Sequence, residues 1–313
     1  MKRKIFLSVL ITLSCCTTTL AQGLDIRLDN RDSWRWTDAD HNGISADYLQ
    51  LYAAGSINEH LSFSVLQHLN RPNRTSGFMD STDWAWLKYS TGDWSFCGGK
   101  MMLEYGGFEY DEAPINLYFC GEYWNNYSHA FTFAAYASRA LGAGRLYFQI
   151  AASPFDRYLS DGLYAYSLSY RGSKGFYSWK HSVNMFEMDH GQFSGHFVLG
   201  NRFDFKPFAI EMDLCHRMDM TSPSFFEDYT VVTKAQASLS DKLDIFAKVD
   251  YDFNSTVRDP LVAPGTDLLA YGGGVEFYPV AGSRDIRLHC VWYHRNENVL
   301  MAGFTWKFHI LTR

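Results

Sequence analysis

The chain has 313 residues, with 28 Lys and Arg against 34 Asp and Glu, and its formal net charge is −6. This acidic balance argues against nucleic acid as a partner. Aromatic residues make up 17% of the chain. Beyond residue 21, however, no stretch approaches the roughly 18–20 continuous apolar residues that a membrane-spanning helix needs, which excludes a helical membrane protein.

The first 21 residues predict a secretory signal peptide. Basic residues at positions 2–4 precede the apolar run 5–13, and Thr19-Leu20-Ala21 offers a cleavage site of the small-x-small type. We expect cleavage to leave 22–313 as the mature chain, with a formal charge of −9 because three basic residues are lost. Two classes of protein then remain, a soluble exported protein and a closed outer-membrane barrel.

A short acidic motif follows soon after the predicted cleavage site. Asp38, Asp40 and Asn42 alternate with other residues and precede Gly43, as at the start of a calcium-binding loop. The twelfth position is Leu49 rather than Glu, which excludes a complete EF-hand. A weak surface calcium site and an ordinary Asp/Asn/Gly turn stay open as alternatives, and no other cofactor is predicted.

Alternation with a period of two residues runs through the mature chain. In the segment 243–253, most odd positions are apolar, whereas even positions include Asp250 and Asp252. A β-strand places these two sets on opposite faces. Segments 208–215 and 286–293 behave alike. Strands in soluble domains run to roughly 5–6 residues, whereas a tilted strand across a bilayer needs roughly 9–11, so length favours a transmembrane antiparallel β-barrel.

Short and long connections alternate between these segments, as outer-membrane barrels require. The short connections lie at 58–60, 91–93, 141–144, 172–175, 206–207, 240–241 and 280–283. The longer ones lie at 37–45, 71–81, 104–126, 154–161, 188–193, 218–227 and 254–266, with a tight last loop near Asn296. Counting the segments predicts sixteen strands, from Leu24–Trp36 to Asn298–Phe308. Fourteen or twelve stay open, because alternation is weak in the first strand and near Trp84 and Trp94.

The final segment resembles the C-terminal assembly signal of bacterial outer-membrane barrels. Five apolar residues share one face, and the last of them is the aromatic residue Phe308. The five residues 309–313 follow it, whereas the signal usually ends on the aromatic residue itself.

The longest predicted connection, 104–126, lies between the fifth and sixth strands and is far longer than a hairpin needs. We expect this third outer loop to fold into the lumen. Its acidic and aromatic side chains would then form a constriction that filters solutes by size, charge and hydrogen bonding. The candidate residues of this constriction are Glu104, Tyr105, Glu109, Tyr110, Asp111 and Glu112.

The segment from Gly99 to Asp111, Gly-Lys-Met-Met-Leu-Glu-Tyr-Gly-Gly-Phe-Glu-Tyr-Asp, resembles the strand-to-loop segment of porins related to the phosphate-selective O/P family, in the form common among Bacteroidetes. The resemblance implies a homotrimeric, non-enzymatic, passive diffusion channel of the bacterial outer membrane. Such a channel contacts outer-membrane lipid and lipopolysaccharide and conducts small hydrophilic solutes or ions, with anions among the candidates.

Anion selectivity in that family depends on a ladder of basic residues that point into the lumen. By alternation, the candidates here are Lys100, Lys234, Lys248, Arg287 and Arg295. Acidic residues such as Glu211 and Asp213 share the same predicted face. A substrate track and a salt-bridged polar wall therefore stay open as alternative roles for these bases.

Two other classes of function stay open. One is an outer-membrane hydrolase, with a dyad such as His190 and Ser194 or a group formed by His216 with Asp213 and Asp219, although the chain has no G-x-S-x-G nucleophile motif. The other is a non-conducting scaffold or adhesin whose lumen is plugged. Sequence does not decide between them.

Four cysteines remain in the predicted mature chain, without a CxxC pair, so that one disulfide and free thiols are both open. They are Cys97, Cys120, Cys215 and Cys290. Cys15 and Cys16 raise the alternative of a lipoprotein, but Thr12-Leu13-Ser14 before them is a poor acylation site.

Overall fold

A computed structural model describes residues 22–38, 42–70, 81–121, 130–155, 162–220, 228–254 and 267–312. The predicted signal peptide, 1–21, lies outside the described residues. The described segments form sixteen β-strands and one short α-helix. The strands are β1 (Gln22–Thr37), β2 (Gly43–Ser56), β3 (Leu61–His68), β4 (Thr82–Thr91), β5 (Trp94–Met102), β6 (Phe131–Leu141), β7 (Gly144–Ala152), β8 (Tyr164–Lys174), β9 (Tyr177–Asp189), β10 (Gln192–Phe205), β11 (Phe208–Asp219), β12 (Asp228–Ser240), β13 (Leu243–Asn254), β14 (Leu268–Phe277), β15 (Ile286–Arg295) and β16 (Glu297–Thr312).

Each strand pairs antiparallel with its neighbours in sequence, and β1 pairs with β16 to close the barrel. In the closing register, Leu28 lies opposite Phe308 and Trp36 lies opposite Leu300. Closure leaves no strand edge with unpaired backbone groups. The predicted sixteen-stranded antiparallel barrel is confirmed, and the Trp-rich segments form β4 and β5.

The barrel wall carries its apolar side chains on the outside. In β8 and β9, Leu168 and Val183 lie opposite each other and are 47% and 50% exposed on the outer face. On the inner face of β13, Asp250 and Asp252 are 0% and 1% exposed. This distribution is the reverse of a soluble protein and is that of barrels that face lipid outside and polar groups inside.

One connection and one strand end differ from the predictions. The connection predicted at 188–193 is a tight hairpin, because β9 and β10 extend until Asp189 pairs with Gln192 around His190-Gly191. Gly191 has φ of +76°, a left-handed conformation that suits a short turn. The last strand also continues past Phe308, since Leu311 and Thr312 still pair with β1.

The long connection after β5 is described over residues 103–121 and again at residue 130. It contains the helix α1 (Phe108–Asp111) and a 3₁₀ turn (Pro114–Asn116). Within the described ranges, no helix is long and apolar enough to cross a membrane. Most of this connection is buried against the inner wall of the barrel, as predicted for the third outer loop. We call residues 103–121 the inner loop.

Candidate functional site

The inner loop leaves the wall through two consecutive glycines. Gly106 and Gly107 have φ of +84° and +81°, a left-handed conformation that other residues rarely adopt. The close approach also needs glycine, because a Cβ on Gly106 would lie 2.9 Å from Oγ of Ser182. The amide of Gly107 donates to the carbonyl of Lys180 at 3.0 Å. The loop backbone therefore lies directly on β9.

A wall carboxylate holds the start of α1. Oδ2 of Asp213, on β11, accepts hydrogen bonds from the backbone N–H groups of Phe108 at 2.7 Å and Glu109 at 2.8 Å. The first N–H groups of a helix have no partner within it, and a carboxylate is a strong acceptor for them. Asp213 thus fixes the position of the loop inside the barrel.

The acidic side chains at the start of the loop are paired with bases on β8 and β9. Arg171 Nη2 lies 2.7 Å from Glu104 Oε2, and its Nη1 lies 2.5 Å from Asp111 Oδ2. Lys180 Nζ lies 2.9 Å from the same oxygen of Asp111. These two bases neutralise two of the carboxylates that the sequence predicts in the constriction.

A second ion-pair cluster lies on β13, four strands from β9. Lys248 forms a buried ion pair with Glu109 of the loop, and its Nζ lies 3.0 Å from Asp250 Oδ2. The same ammonium donates to the carbonyl of Phe119 at 2.7 Å. Lys248 therefore holds two separate parts of the inner loop, at Glu109 and at Phe119, against one point on the wall.

Two of the predicted constriction residues pack between the loop and the wall instead of lining open space. Tyr105 and Tyr110 are 1% and 0% exposed, and their ring centroids lie 4.9 Å apart. The hydroxyl of Tyr105 lies 2.8 Å from His196 Nδ1 and 2.6 Å from Cys215 Sγ. The left-handed turn at Gly106-Gly107 directs the loop onto β9 to β11, which buries these rings.

The second half of the inner loop, residues 115–119, reaches the strands beside the seam where β1 pairs with β16. Arg31 Nη1, on β1, donates to the carbonyls of Ile115 at 2.8 Å and Leu117 at 2.7 Å. The Tyr118 hydroxyl donates to Glu276 Oε1, on β14, at 2.7 Å, and the Tyr118 ring stacks on Phe246 at 5.6 Å. The inner loop therefore contacts nearly opposite sides of the wall.

Open space remains on both sides of the inner loop. A cavity of about 70 Å³ separates the loop from strands β11 to β14. Its charged lining residues are Glu109, Glu112, Glu211, Asp213, Lys234, Asp244, Lys248 and Glu276. A second cavity, of about 320 Å³, lies between Glu104 and strands β2 to β6 and is lined largely by aromatic rings.

The predicted lumen bases separate into two groups. Lys234 and Lys248 line the smaller cavity, Arg287 Nη1 lies 3.1 Å from Glu276 in the lumen, and Arg295 lies on the same face of β15 as Arg287. The prediction that Lys100 points into the lumen is wrong. It pairs with Phe133, which is 47% exposed on the outer face, because inward positions of β5 are odd-numbered and Lys100 falls on the other parity.

Sequence reasoning missed the bases that bind the loop most directly. Arg31, Arg171 and Lys180 hold loop groups, yet none of them was among the predicted residues. Alternation could have found Arg171, since Ser167 and Ser169 share its inward face in β8. The pairing of a loop carboxylate with a strand sixty residues away has no signal in a single sequence.

The remaining predicted sites involve contacts near the outer rim. Both carboxylate oxygens of Asp38 accept hydrogen bonds from Asn298, at 3.1 Å from its backbone N and 2.8 Å from its Nδ2. Asn42 Oδ1 accepts from the amide of Thr37 at 3.1 Å. Asp40, the third predicted calcium ligand, lies outside the described residues, so a calcium site stays a prediction.

The residues proposed for a hydrolase do not form the expected dyad. Ser194 Oγ lies 2.9 Å from Nε2 of His196, which is buried behind Tyr105, whereas His190 lies in the β9–β10 turn. Asp213 is engaged by the loop helix. None of the four cysteines of the predicted mature chain, all among the described residues, forms a disulfide.

Comparison with known proteins shows the fold. No protein-family model matches the sequence, and no curated protein matches it. Among solved structures, OmpT, an outer membrane protein of Vibrio cholerae described in a trimer form, has a TM-score of 0.65 at 12% identity, covering 91% of this chain and 99% of that one. An engineered variant of the porin of Rhodobacter blastica has a TM-score of 0.59 at 11% identity, covering 91% of this chain and 100% of that one. The chain therefore shares the barrel fold of these proteins.

Proposed function

We propose that this protein is an outer-membrane porin, a passive and non-enzymatic diffusion channel for small hydrophilic solutes and ions. The observation that carries this proposal is the inner loop, which lies inside a closed barrel with an apolar exterior and narrows its lumen without making continuous contact with the wall. A constriction fixed by wall contacts on several strands is what a size filter needs.

We also propose that the protein is exported to the outer membrane and assembles there as a homotrimer. Residues 1–21 would direct export and be removed, and the apolar outer face would contact outer-membrane lipid and lipopolysaccharide. A homotrimer is supported by the described trimer form of Vibrio cholerae OmpT and by the resemblance of segment 99–111 to phosphate-selective O/P porins. Cross-linking of the protein in native outer membranes would test the trimer.

Charge selectivity follows from the lining of the smaller cavity. The resemblance to O/P porins leaves anions among the candidate solutes, but six carboxylates line this cavity against two bases, Lys234 and Lys248. Several of the carboxylates are paired with bases behind them, such as Glu211 with Arg202 at 2.6 Å. We therefore expect a channel that favours small cations weakly.

The test is electrical. The chain 22–313, refolded in detergent and reconstituted in a planar bilayer, should show stepwise conductance, and the reversal potential in a salt gradient should have the cation-selective sign. The change Lys234→Gln should increase cation selectivity, whereas Lys100→Gln, which removes the same charge from the outer face, should leave it unchanged. A folded barrel without conductance would contradict the porin proposal and favour a plugged scaffold.

A further inference from the structure

The larger cavity in the lumen is lined by rings that a polar channel does not need. Tyr52, Trp84, Trp86 and Tyr136 line it on strands β2 to β6, and Glu104 of the inner loop lies at its border. We call these four aromatic residues the aromatic wall. Lumen-facing positions in such barrels are ordinarily polar, and the lipid contact that explains aromatic side chains on the outer face does not apply here.

The rings of the aromatic wall are fixed by their neighbours. Nε1 of Trp84 donates to Ser64 Oγ at 2.8 Å, and the Tyr52 and Trp84 rings meet edge to face at 6.5 Å. The guanidinium of Arg27 lies 3.9 Å from the centroid of the Tyr52 ring. All four rings are only partly buried, so flat apolar surface lies at the cavity.

Polar groups lie beside the rings. Glu104 Oε2 is held by Arg171 at 2.7 Å and by Ser169 Oγ at 3.0 Å, which fixes the carboxylate at the edge of the cavity. The ammonium of Lys88 lies 5.7 Å from the Trp86 ring centroid. The cavity therefore combines flat apolar faces with a few fixed hydrogen-bonding groups, the composition typical of small-molecule sites.

This combination matches one chemical class of solute. A saccharide ring has C–H faces that pack on aromatic rings and equatorial hydroxyls that bond to carboxylates and to cationic donors. The cavity volume of about 320 Å³ lies at the lower end of the roughly 300–1,000 Å³ range of ligand pockets. Because anions and cations are both present at its border, a neutral solute fits better than a strongly charged one.

We propose that the aromatic wall is a transient binding site for neutral saccharides that pass through the channel. This inference rests on the proposed porin function and names a solute class for it. The flat rings bind the sugar face, and Glu104 with its partner Arg171 orients the hydroxyls. A bound sugar fills lumen space beside the inner loop, so an occupied site reduces the ion current.

The experiment measures block of the ion current by maltotriose added to a single channel in a planar bilayer. Block should saturate with concentration, and a polyethylene glycol of equal hydrodynamic size should not reproduce it. The change Trp86→Leu should weaken the block by roughly tenfold, as expected for loss of one stacking ring. Trp86→Phe, which keeps an aromatic face, should retain most of it. The heat-modifiable gel shift checks that each variant folds.

The control Trp292→Leu changes an aromatic ring that is 41% exposed on the outer face of β15, and its maltotriose block should match that of the unchanged protein. A normal conductance that maltotriose does not block, or that the polymer blocks equally, overturns the saccharide site and leaves the porin function intact. A folded protein without any conductance overturns the channel and this inference together. Quenching of tryptophan fluorescence by maltotriose in detergent is the second measurement, and its loss in Trp86→Leu supports the site.

Discussion

Nη1 of Arg171 lies 2.5 Å from Oδ2 of Asp111, which joins the wall strand β8 to the end of the loop helix α1. The same guanidinium lies 2.7 Å from Glu104 at the start of the loop. One side chain thus binds two points of the inner loop that lie seven residues apart. The side chains of this group are between 10% and 20% exposed.

Replacing Arg171 should release the start of the loop. In Arg171→Gln, Glu104 and Asp111 lose their main cationic partner, and we expect the barrel to lose about 2–3 kcal/mol of its free energy of unfolding. Channel current should also become noisier, because the loop moves. The matched control is Arg145→Gln, which contacts the carbonyl of Asp93 and two serines and should cost less than about 1 kcal/mol. Urea unfolding in detergent measures both, and equal losses would refute the role of Arg171.

Gly200 permits a close approach between the loop and the wall. A Cβ added there would lie 2.7 Å from Cα of Gly107 and 2.9 Å from the carbonyl of Lys180. Gly200→Ala should therefore displace the loop, lower stability by about 1–3 kcal/mol and change the single-channel conductance. Gly98→Ala, where nothing lies within 4 Å, serves as the control. Unchanged conductance in Gly200→Ala would show that the loop is not seated as described.

The sequence predicts the barrel better than its interior. The alternation in 243–253 places Asp250 and Asp252 on the inner face, and the structure agrees. Such patterns are local, with a period of two residues, whereas the seat of the loop depends on contacts between distant segments. The sequence therefore predicts that Glu109 is an acidic residue of the loop. Its pairing with Lys248, 139 residues away, can be seen only in the closed barrel. Lys100 was misplaced because the alternation of β5 is weak.

The Asp38–Asn298 contact predicts a pH dependence. The hydrogen bond from the Asn298 side chain, followed by that from its backbone, lowers the pKa of Asp38. A carboxyl whose pKa is lower in the folded state stabilises the fold above its unfolded pKa, and this contribution disappears as pH falls through the folded pKa. Asn298→Ala should thus be less stable than the unchanged protein near pH 7, with the difference shrinking at about pH 2.

Unfolding midpoints in urea at the two pH values measure this difference. Asn58→Ala is the control, because the Asn58 amide oxygen accepts from the backbone of His60 and Leu61 and no carboxyl titrates in that contact. A difference between the unchanged protein and Asn298→Ala that persists at low pH would argue against the role of the Asp38 carboxylate.

The orientation of the wall can be tested with one charge placed on either face. Val183, in the middle of β9, is 50% exposed on the outer face, whereas Gln236 of β12 lines the lumen. Val183→Arg should cost about 2–4 kcal/mol in a bilayer and slow folding into liposomes, whereas Gln236→Arg should fold normally. The heat-modifiable gel shift after mixing with vesicles measures both. Equal folding yields would contradict the assigned faces.

Contacts of Ile115, in the second half of the inner loop, connect strands from the two ends of the chain. Arg31 on β1 and Arg287 on β15 both donate to the carbonyl of Ile115, at 2.8 and 3.4 Å, and these strands flank β16 at the seam. The two arginines can contact that carbonyl together only when the loop lies inside the lumen and the first and last strands are paired. The position of the loop and the closed seam therefore stabilise each other, and a loop left outside would leave these two cations without the Ile115 carbonyl as an acceptor.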